Sequence, residues 1–365
     1  MNDALGFEPD APIRRRDVPV GCIGAGFIMA DVQLAAYAEA RFPVVAIASR
    51  TPARAASVAG RWGIPTVHAT PEALIDDQGV AILDIAFPPD QQPALIRRAL
   101  SKAHIRGILA QKPLAMNALE AKSLAMEASA AGKLLSVNQN MRFDQAMRVL
   151  KQIMARGALG QPVLATIEMR AIPHWQPFLA GYDRLTILNM AIHHLDVLRF
   201  LLGEPVAIST SARTDPRTRF AHTDGITIST LRFPSGALAV SMEDVWSGPR
   251  EPGFVSDTYI KWRMEGTDGV AQGTIGWPDY PAGSPSTLRY ASRTATGGQW
   301  VEPRWRTCWF PHAFAGVMEQ LQYAVATGTR PTLDAADHVH TMALVDAAYR
   351  SLRDRREVAL SEIET

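Results

Sequence analysis

The chain has 365 residues, with 37 Lys and Arg against 36 Asp and Glu and a hydrophobic share of 47%. At about 150 residues per domain this length makes two domains, and the apolar share supports large cores, which excludes a disordered chain and a small stapled module. The net charge of +1 gives no global field for nucleic acid or an anionic membrane, and no run approaches the ~20 uninterrupted apolar residues of a membrane span.

Residues 1–17 read as an N-terminal arm in which Arg14, Arg15 and Arg16 precede an apolar run. A twin-arginine export signal shares that pattern. The run is short and holds Gly21, Gly24 and Gly26, however, which suits the first strand of a nucleotide-binding unit better. The two cysteines, Cys22 and Cys308, carry neither CxxC nor Cys/His spacing, so the expectation is a reduced, cytoplasmic protein without a disulfide framework or structural zinc.

From residue 18 to 140, short β-rich runs alternate with amphipathic, alanine-rich segments. Residues 18–23, 44–48, 80–87 and 105–110 read as strands buried on both faces, and 53–62, 91–102 and 119–131 as the helices between them. This predicts an N-terminal doubly wound parallel sheet of the Rossmann type. Residues 141–365 follow a different pattern: a helix over 143–156, a strand over 163–169 and a helix ending near Gly203. Then come two strand patterns, 223–233 and 237–245, joined through Pro234, Ser235 and Gly236 as a hairpin. The prediction is an α+β domain with an open antiparallel sheet. Residues 247–257 and 276–300 read as loops, and two helices, 312–327 and 334–353, close the chain.

Directly after the first strand stands Gly24-Ala25-Gly26-Phe27-Ile28-Met29, opening a helix that runs through Tyr37. The first glycine permits a tight turn, the second lets backbone approach a pyrophosphate, and the helix N-terminus offers N–H groups to the anion. Met29 departs from the fingerprint, which wants a third small residue there; Ala30 partly relieves it. Where an acidic side chain would take the ribose 2′-hydroxyl of NAD, the chain has Ser49, Arg50 and Arg54. Arginine beside a hydroxyl suits a 2′-phosphate, so NADP is preferred over NAD, the alternative being that Arg50 stacks on adenine.

The strand over 105–110 ends in Gln111-Lys112-Pro113. Proline keeps the preceding residue extended, which presents Lys112 at the carboxyl edge of the sheet, where a desolvated amine can exchange a proton with a substrate hydroxyl. Strand, glycine turn, Lys-Pro and a later helical histidine, with the runs DIAFPPDQQPALIRRAL, KAHIRGILAQKPLAMNALEA, LLSVNQNMRFDQAMRVLKQIMARGALGQPV, AIHHLDVLRFLLGEPV and TGTRPTLDAADHVHTMALVDAAYRSLRDRREVAL, together resemble the Gfo/Idh/MocA family of oxidoreductases.

The resemblance implies NAD or NADP in the first domain and hydride transfer with a secondary alcohol or carbonyl of a sugar, cyclitol or related polyol. It implies that Pro88, Gln92, Lys112 and Gln139 join Gly24, Gly26, Phe27, Ile28, Ser49, Arg50 and Arg54 at the cofactor. The family's Glu-Lys-Pro is Gln111-Lys112-Pro113 here, and its Asp-x-x-x-His is Asn189-Met190-Ala191-Ile192-His193, whose spacing of four puts both side chains on one helix face. With neutral residues at Gln111 and Asn189, Lys112 becomes the expected proton acceptor and His193 an acid/base or hydroxyl-binding group. Asn138, Asn140, Arg142, His174 and Trp175 are the expected substrate contacts with Asn189 and His193; Tyr182, Trp309 and His312 are added from loops. A homodimer or homotetramer is implied, because the open sheet needs a cover.

No metal is expected, since the adjacent His193 and His194 point about 100° apart on a helix and His338 and His340 fail the same test. His68 and His104 read as packing residues. Two other functions stay open: a glycoside lyase or hydrolase using transient oxidation by bound NAD, and a catalytically quiet nucleotide-binding regulator, which Met29, Gln111 and Asn189 would suit.

Overall fold

In the computed structural model, which describes residues 4–171, 177–245, 258–276 and 283–365, the first apolar run is the buried strand β1 (Val20–Ile23). It pairs in parallel with β2 (Val44–Ala48) on one side and β4 (Ile82–Ile85) on the other. With β3 (Thr66–His68), β5 (Gly107–Ala110) and β6 (Leu134–Val137) the sheet runs β3-β2-β1-β4-β5-β6. The strand order reverses between β1 and β4, and ligands of open α/β sheets bind beside the carboxyl ends at such a reversal. Helices α1 (Leu34–Ala40), α2 (Pro52–Trp62), α3 (Pro71–Ile75), α4 (Gln92–Leu100) and α5 (Ala118–Ala130) form the crossovers. Local chemistry sets their ends: Pro52 opens α2 and the left-handed Gly63 closes it, while the Asn117 side chain accepts the Glu120 N–H at the start of α5.

This sheet unit comprises Ala11–Phe143 together with Pro311–Met342 and Thr365. Helix α8 (Phe314–Thr327) packs on β5 through Gly107, where a Cβ would lie 2.8 Å from Val325 Cγ2. Beyond it the chain covers the open edge of β6, since the Val137 N–H and Ser136 hydroxyl both donate to the Leu333 carbonyl. An edge strand left bare would expose unpaired backbone, and this distant segment removes that exposure. Residues 11–17 of the arm are built in as well: Arg14 lies on the ring of Tyr323 and forks onto the buried carboxylate of Glu319 at 2.9 and 3.1 Å.

The second unit comprises Met1–Asp10, Asp144–Phe310 and Ala343–Glu364. Helix α6 (Gln145–Ala155) is capped by Asp144, which accepts the Ala146 and Met147 N–H groups. Then follow β7 (Pro162–Ala171), α7 (Ile192–Leu202), closed by Gly203, and β8 (Ala207–Arg213). The expected hairpin is present as β9 (Ile226–Arg232) and β10 (Leu238–Val245). With β11 (Tyr259–Gly266), β12 (Gly269–Ile275), β13 (Thr287–Ser292) and β14 (Val358–Ala359), the described residues make an eight-stranded sheet ordered β13-β12-β11-β7-β10-β9-β8-β14.

The expected open antiparallel sheet is present and contains one parallel pair, because β10 reaches β7 by a long connection through α7, β8 and β9. One expectation changes here. Residues 287–292, expected as loop, form β13; the Gly, Pro and Ser on either side of TLRYAS masked a strand that β12 completes by pairing. The expected loop over 247–257 falls outside the described residues. One face of the sheet packs on α6 and α7, whereas the other leaves Leu238 50% and Ile228 47% exposed. The last helix, α9 (Ala335–Asp354), gives residues 335–342 to the first unit and 343–354 to the second. Among the described residues no helix is long and apolar enough to cross a membrane.

Candidate active site

At the carboxyl end of β1, Gly24 adopts φ +118°, and a Cβ there would lie 2.6 Å from the Ala86 carbonyl oxygen at the end of β4. Only glycine combines that conformation with that approach. Gly26 differs: nothing lies within 4 Å of the place its Cβ would take, so the turn has an open face directly before a helix start. Phe27 and Ile28 are half-buried beside it. The helix begins wide over Ile28–Gln33, the Leu34 N–H reaching back five residues to the Met29 carbonyl, before tightening into α1. Met29 itself is wholly buried in that wide turn, which is how the chain houses a large side chain where a third small residue was expected.

At the end of β2, Ser49 is buried, while Arg50 and Arg54 are exposed. Arg50 donates to Gln91 Oε1 at 2.7 Å and lies over the ring of Phe87. Pro88 is half-buried after β4, its carbonyl accepting the Gln91 and Gln92 N–H groups. The open face over Gly26 directly before a helix start is the feature a dinucleotide's pyrophosphate requires, so the residues present fit that group.

Lys112 follows β5, half-buried, with a cis bond to Pro113. Burial pulls its ammonium down to about 7, into the range where an amine both accepts and returns a proton. Gln92 is not placed as a cofactor contact: it is wholly buried, and its carboxamide donates to the carbonyls of Gln111, Pro113 and Leu114 and accepts the Gln111 N–H. Gln111 Nε2 donates to Gln33 Oε1 at 3.2 Å, and Gln33 Nε2 in turn donates to Asp84 Oδ2 at 2.6 Å, which also accepts the Tyr37 hydroxyl at 2.6 Å. Burial raises the Asp84 carboxyl to about 7 against the lowering effect of those two donors. The Tyr37 hydroxyl is pushed well up by burial and by Asp84.

His338 reaches the same turn from α9, its Nε2 accepting the Leu114 N–H at 3.4 Å while Nδ1 lies 3.4 Å from the Gln139 amide. A neutral imidazole that accepts at Nε2 donates at Nδ1, so the Gln139 carbonyl, rather than its NH2, belongs beside His338. Asn140 donates to the carbonyl and side-chain oxygens of Asn138, and Arg142 is ion-paired with Asp337 at 2.8 Å. His312 also has an acidic neighbour, Glu39, at 3.5 Å. His68 pairs with Asp77 and His104 with the Ile75 carbonyl, as packing residues do.

In the second unit, Asn189 and His193 are both buried, 8% and 6% exposed. Asn189 lies in a wide turn, Ile187–Ala191, ahead of α7 rather than in regular helix. Asp224 anchors the start of that turn by accepting the Leu185 and Ile187 N–H groups and the Tyr349 hydroxyl. The Trp309 ring stands edge-on to His193, 6.0 Å between centroids at 89°. His194 points elsewhere and meets the buried Glu243 at 3.0 Å, which also accepts from Thr227 and Ser241. Asp196 is buried against Arg199 at 3.7 Å. Tyr182 packs edge-on against Phe178, and His174 and Trp175 lie outside the described residues. Among the described residues no group of three His, Cys, Asp or Glu side chains is arranged to hold a metal ion.

Gln33, Asp84 and Tyr37 are not legible as supports of this turn in the sequence, and His338 is visible there only as a rejected metal ligand. A carboxylate inside a strand buried on both faces was the available signal, because Asp84 has to find donors somewhere.

Residues 18–139 match the Gfo/Idh/MocA oxidoreductase family with an NAD-binding Rossmann fold, and residues 147–272 match the GFO/IDH/MocA C-terminal domain. D-apiose dehydrogenase of Rhizobium rhizogenes is 26% identical over 344 residues, covering 92% of this chain and 95% of its own. Inositol 2-dehydrogenase of Rhizobium meliloti is 26% identical over 94% of this chain and 99% of its own. An oxidoreductase from Agrobacterium radiobacter, solved with NAD+, L-tartaric acid and magnesium, shares the fold with a TM-score of 0.79 at 23% identity, over 95% of this chain and 99% of its own. Matched in order through both its Rossmann sheet and the domain that follows, the chain belongs to the Gfo/Idh/MocA family of NAD(P)-dependent oxidoreductases.

Proposed function

We propose that the chain oxidises or reduces a CH–OH carbon of a sugar, cyclitol or related polyol, with Lys112 handling the hydroxyl proton. The observation that carries this is Lys112 itself: a half-buried amine at the carboxyl end of β5, in a turn tied down on both sides, with its ammonium lowered to about 7. The substrate class comes from the relatives, whose names are those of dehydrogenases acting on D-apiose and inositol. Gly24, Gly26, Phe27 and Ile28 hold the pyrophosphate, Ser49, Arg50 and Arg54 the adenosine end, and Pro88 and Gln139 the nicotinamide end. A bound nicotinamide supplies the hydride acceptor or donor. Lys112 takes the hydroxyl proton in the oxidising direction and returns it in the reducing one. In the first unit Asn140 is a further side chain that can hydrogen-bond a hydroxyl; in the second, Asn189 and His193 carry that capacity, and Trp309 fixes the tilt of the His193 ring. Arg142 acts by fixing Asp337 rather than by reaching a substrate.

With Arg50 and Arg54 and no acid between residues 49 and 54, NADP is the preferred cofactor. The bare sheet face with Leu238 and Ile228 is the surface for a second copy of the chain, and light scattering after size exclusion is expected to give a dimer or tetramer; a monomer at micromolar concentration counts against it. Two buried cysteines, Cys22 and Cys308, too few for a disulfide framework, fit a reducing compartment, the cytoplasm.

The test mixes the protein with NADP or NAD and a panel of pyranoses, pentoses, aldonolactones and inositols, following absorbance at 340 nm beside substrate consumption. Net nicotinamide reduction, with NADP ahead of NAD, is the expected result. Consumption without net reduction would replace it with an internal redox lyase or hydrolase, and nucleotide binding without turnover of any panel member would favour the regulator.

A further inference from the structure

We infer that Gln92 is a positioning residue that shapes the turn presenting Lys112, an inference that rests on the proton-handling role proposed for that lysine. Gln92 is the first residue of α4 and is wholly buried. Its backbone N–H is fixed by the Pro88 carbonyl at 3.0 Å. From that anchor its Nε2 lies 2.9 Å from the Gln111 carbonyl, 2.7 Å from that of Pro113 and 3.0 Å from that of Leu114, while Oε1 accepts the Gln111 N–H at 3.1 Å. One carboxamide therefore binds the backbone immediately before Lys112 and immediately after it.

Three carbonyl oxygens converging on one point repel each other unless a donor stands between them. A primary amide suits the position because it is neutral, carries two N–H groups for the carbonyls and keeps an acceptor for the amide of Gln111. A carboxylate would face three oxygens with a fourth, and an aliphatic side chain would leave all of them buried without this partner. In either case the turn has to open to find water, carrying Lys112 toward solvent. No atom of Gln92 needs to touch substrate or cofactor for this effect, and its complete engagement with backbone is why the expected cofactor contact is replaced by a structural tie to the lysine.

The test is competitive acetylation of the whole protein with acetic anhydride across pH, read by mass spectrometry at Lys112, with the exposed Lys261 on β11 as internal reference. Wild-type Lys112 is expected to titrate near 7. In Gln92→Met its titration rises by at least one pH unit, Lys261 does not move, and the dissociation constant of NADP stays within threefold. Gln92→Asn, which keeps the amide but withdraws it by one carbon, gives a smaller rise in the same direction and serves if the methionine variant does not fold. On any substrate that turns over, Gln92→Met lowers kcat more than tenfold with KM within threefold. Wild-type titration near 7 that neither variant shifts would overturn the role of Gln92 and leave the proton-handling reading standing. Wild-type titration near 10, or full kcat in Lys112→Met, would remove that reading and the inference with it.

Discussion

Lys112→Met lowers kcat by about 10²- to 10⁴-fold, the range for loss of a positioned acid/base group, and leaves NADP affinity within about threefold. Methionine keeps the length and the burial of the lysine stem but can neither accept nor return a proton. The pH profile separates this from a packing defect. Because burial holds the Lys112 ammonium at about 7, the wild-type oxidation rate rises with pH through that value as the neutral amine forms, and the reduction rate falls through it. Both limbs vanish in Lys112→Met. Gln111→Glu shifts them instead: a carboxylate on the residue next to Lys112 stabilises the charged form of its ammonium, and at an effective dielectric near 20 a separation of about 6–8 Å corresponds to about 1.5–2 pH units upward. The substitution also places a carboxylate against Gln33 Oε1, so the Gln33 amide has to turn over and present its oxygen to Asp84. Asp84 then needs a proton, which burial makes available to it near neutrality. An unshifted limb in Gln111→Glu, or a limb retained in Lys112→Met, would place the titrating group elsewhere.

What could be read from the sequence was whatever the chain states locally. Gly24 and Gly26 announce a phosphate turn because a turn, its glycines and the following helix are contiguous, and Lys112 is visible through the proline beside it. What holds those residues is not contiguous. Gln92 meets the Lys112 turn from 19 residues away, Gln33 meets Gln111 from 78, and His338 meets Leu114 from 224. A glutamine after a strand reads equally well as a cofactor contact or a backbone tie, and only the fold distinguishes them. The same holds for Arg142, whose guanidinium suits a polyol in sequence but pairs with Asp337 once α9 lies beside it. Strand β13 escaped for a different reason: its six residues are framed by turn formers, and pairing with β12 supplies what local pattern lacked. The apolar alternation of β9 and β10 gave their hairpin directly, whereas the parallel β7–β10 pair depends on a connection too long for local pattern to orient.

The two glycines of the turn are expected to fail in opposite ways, and this contrast is the sharpest check on the nucleotide site. Gly24→Ala forces a methyl to within 2.6 Å of the Ala86 carbonyl oxygen in a backbone conformation, φ +118°, that L side chains rarely adopt. Strain of that kind costs about 1–3 kcal/mol before the clash is counted. Since the oxygen belongs to the end of β4, relief has to come from the paired strands themselves, and the melting temperature drops whether or not nucleotide is present. Gly26→Ala meets nothing within 4 Å and keeps the melting temperature of the wild type without ligand. Its methyl instead occupies the face where a pyrophosphate has to approach the backbone, so NADP binding weakens about 10- to 100-fold, equivalent to 1.4–2.8 kcal/mol. Stabilisation by saturating nucleotide shrinks accordingly, because that stabilisation scales with the logarithm of ligand concentration over the dissociation constant. Calorimetric titration with thermal melts in both states reads the two quantities separately. A Gly26→Ala protein that binds NADP as tightly as wild type would move the pyrophosphate off this turn, since the open face over Gly26 is the feature that distinguishes a phosphate cradle from an ordinary tight turn.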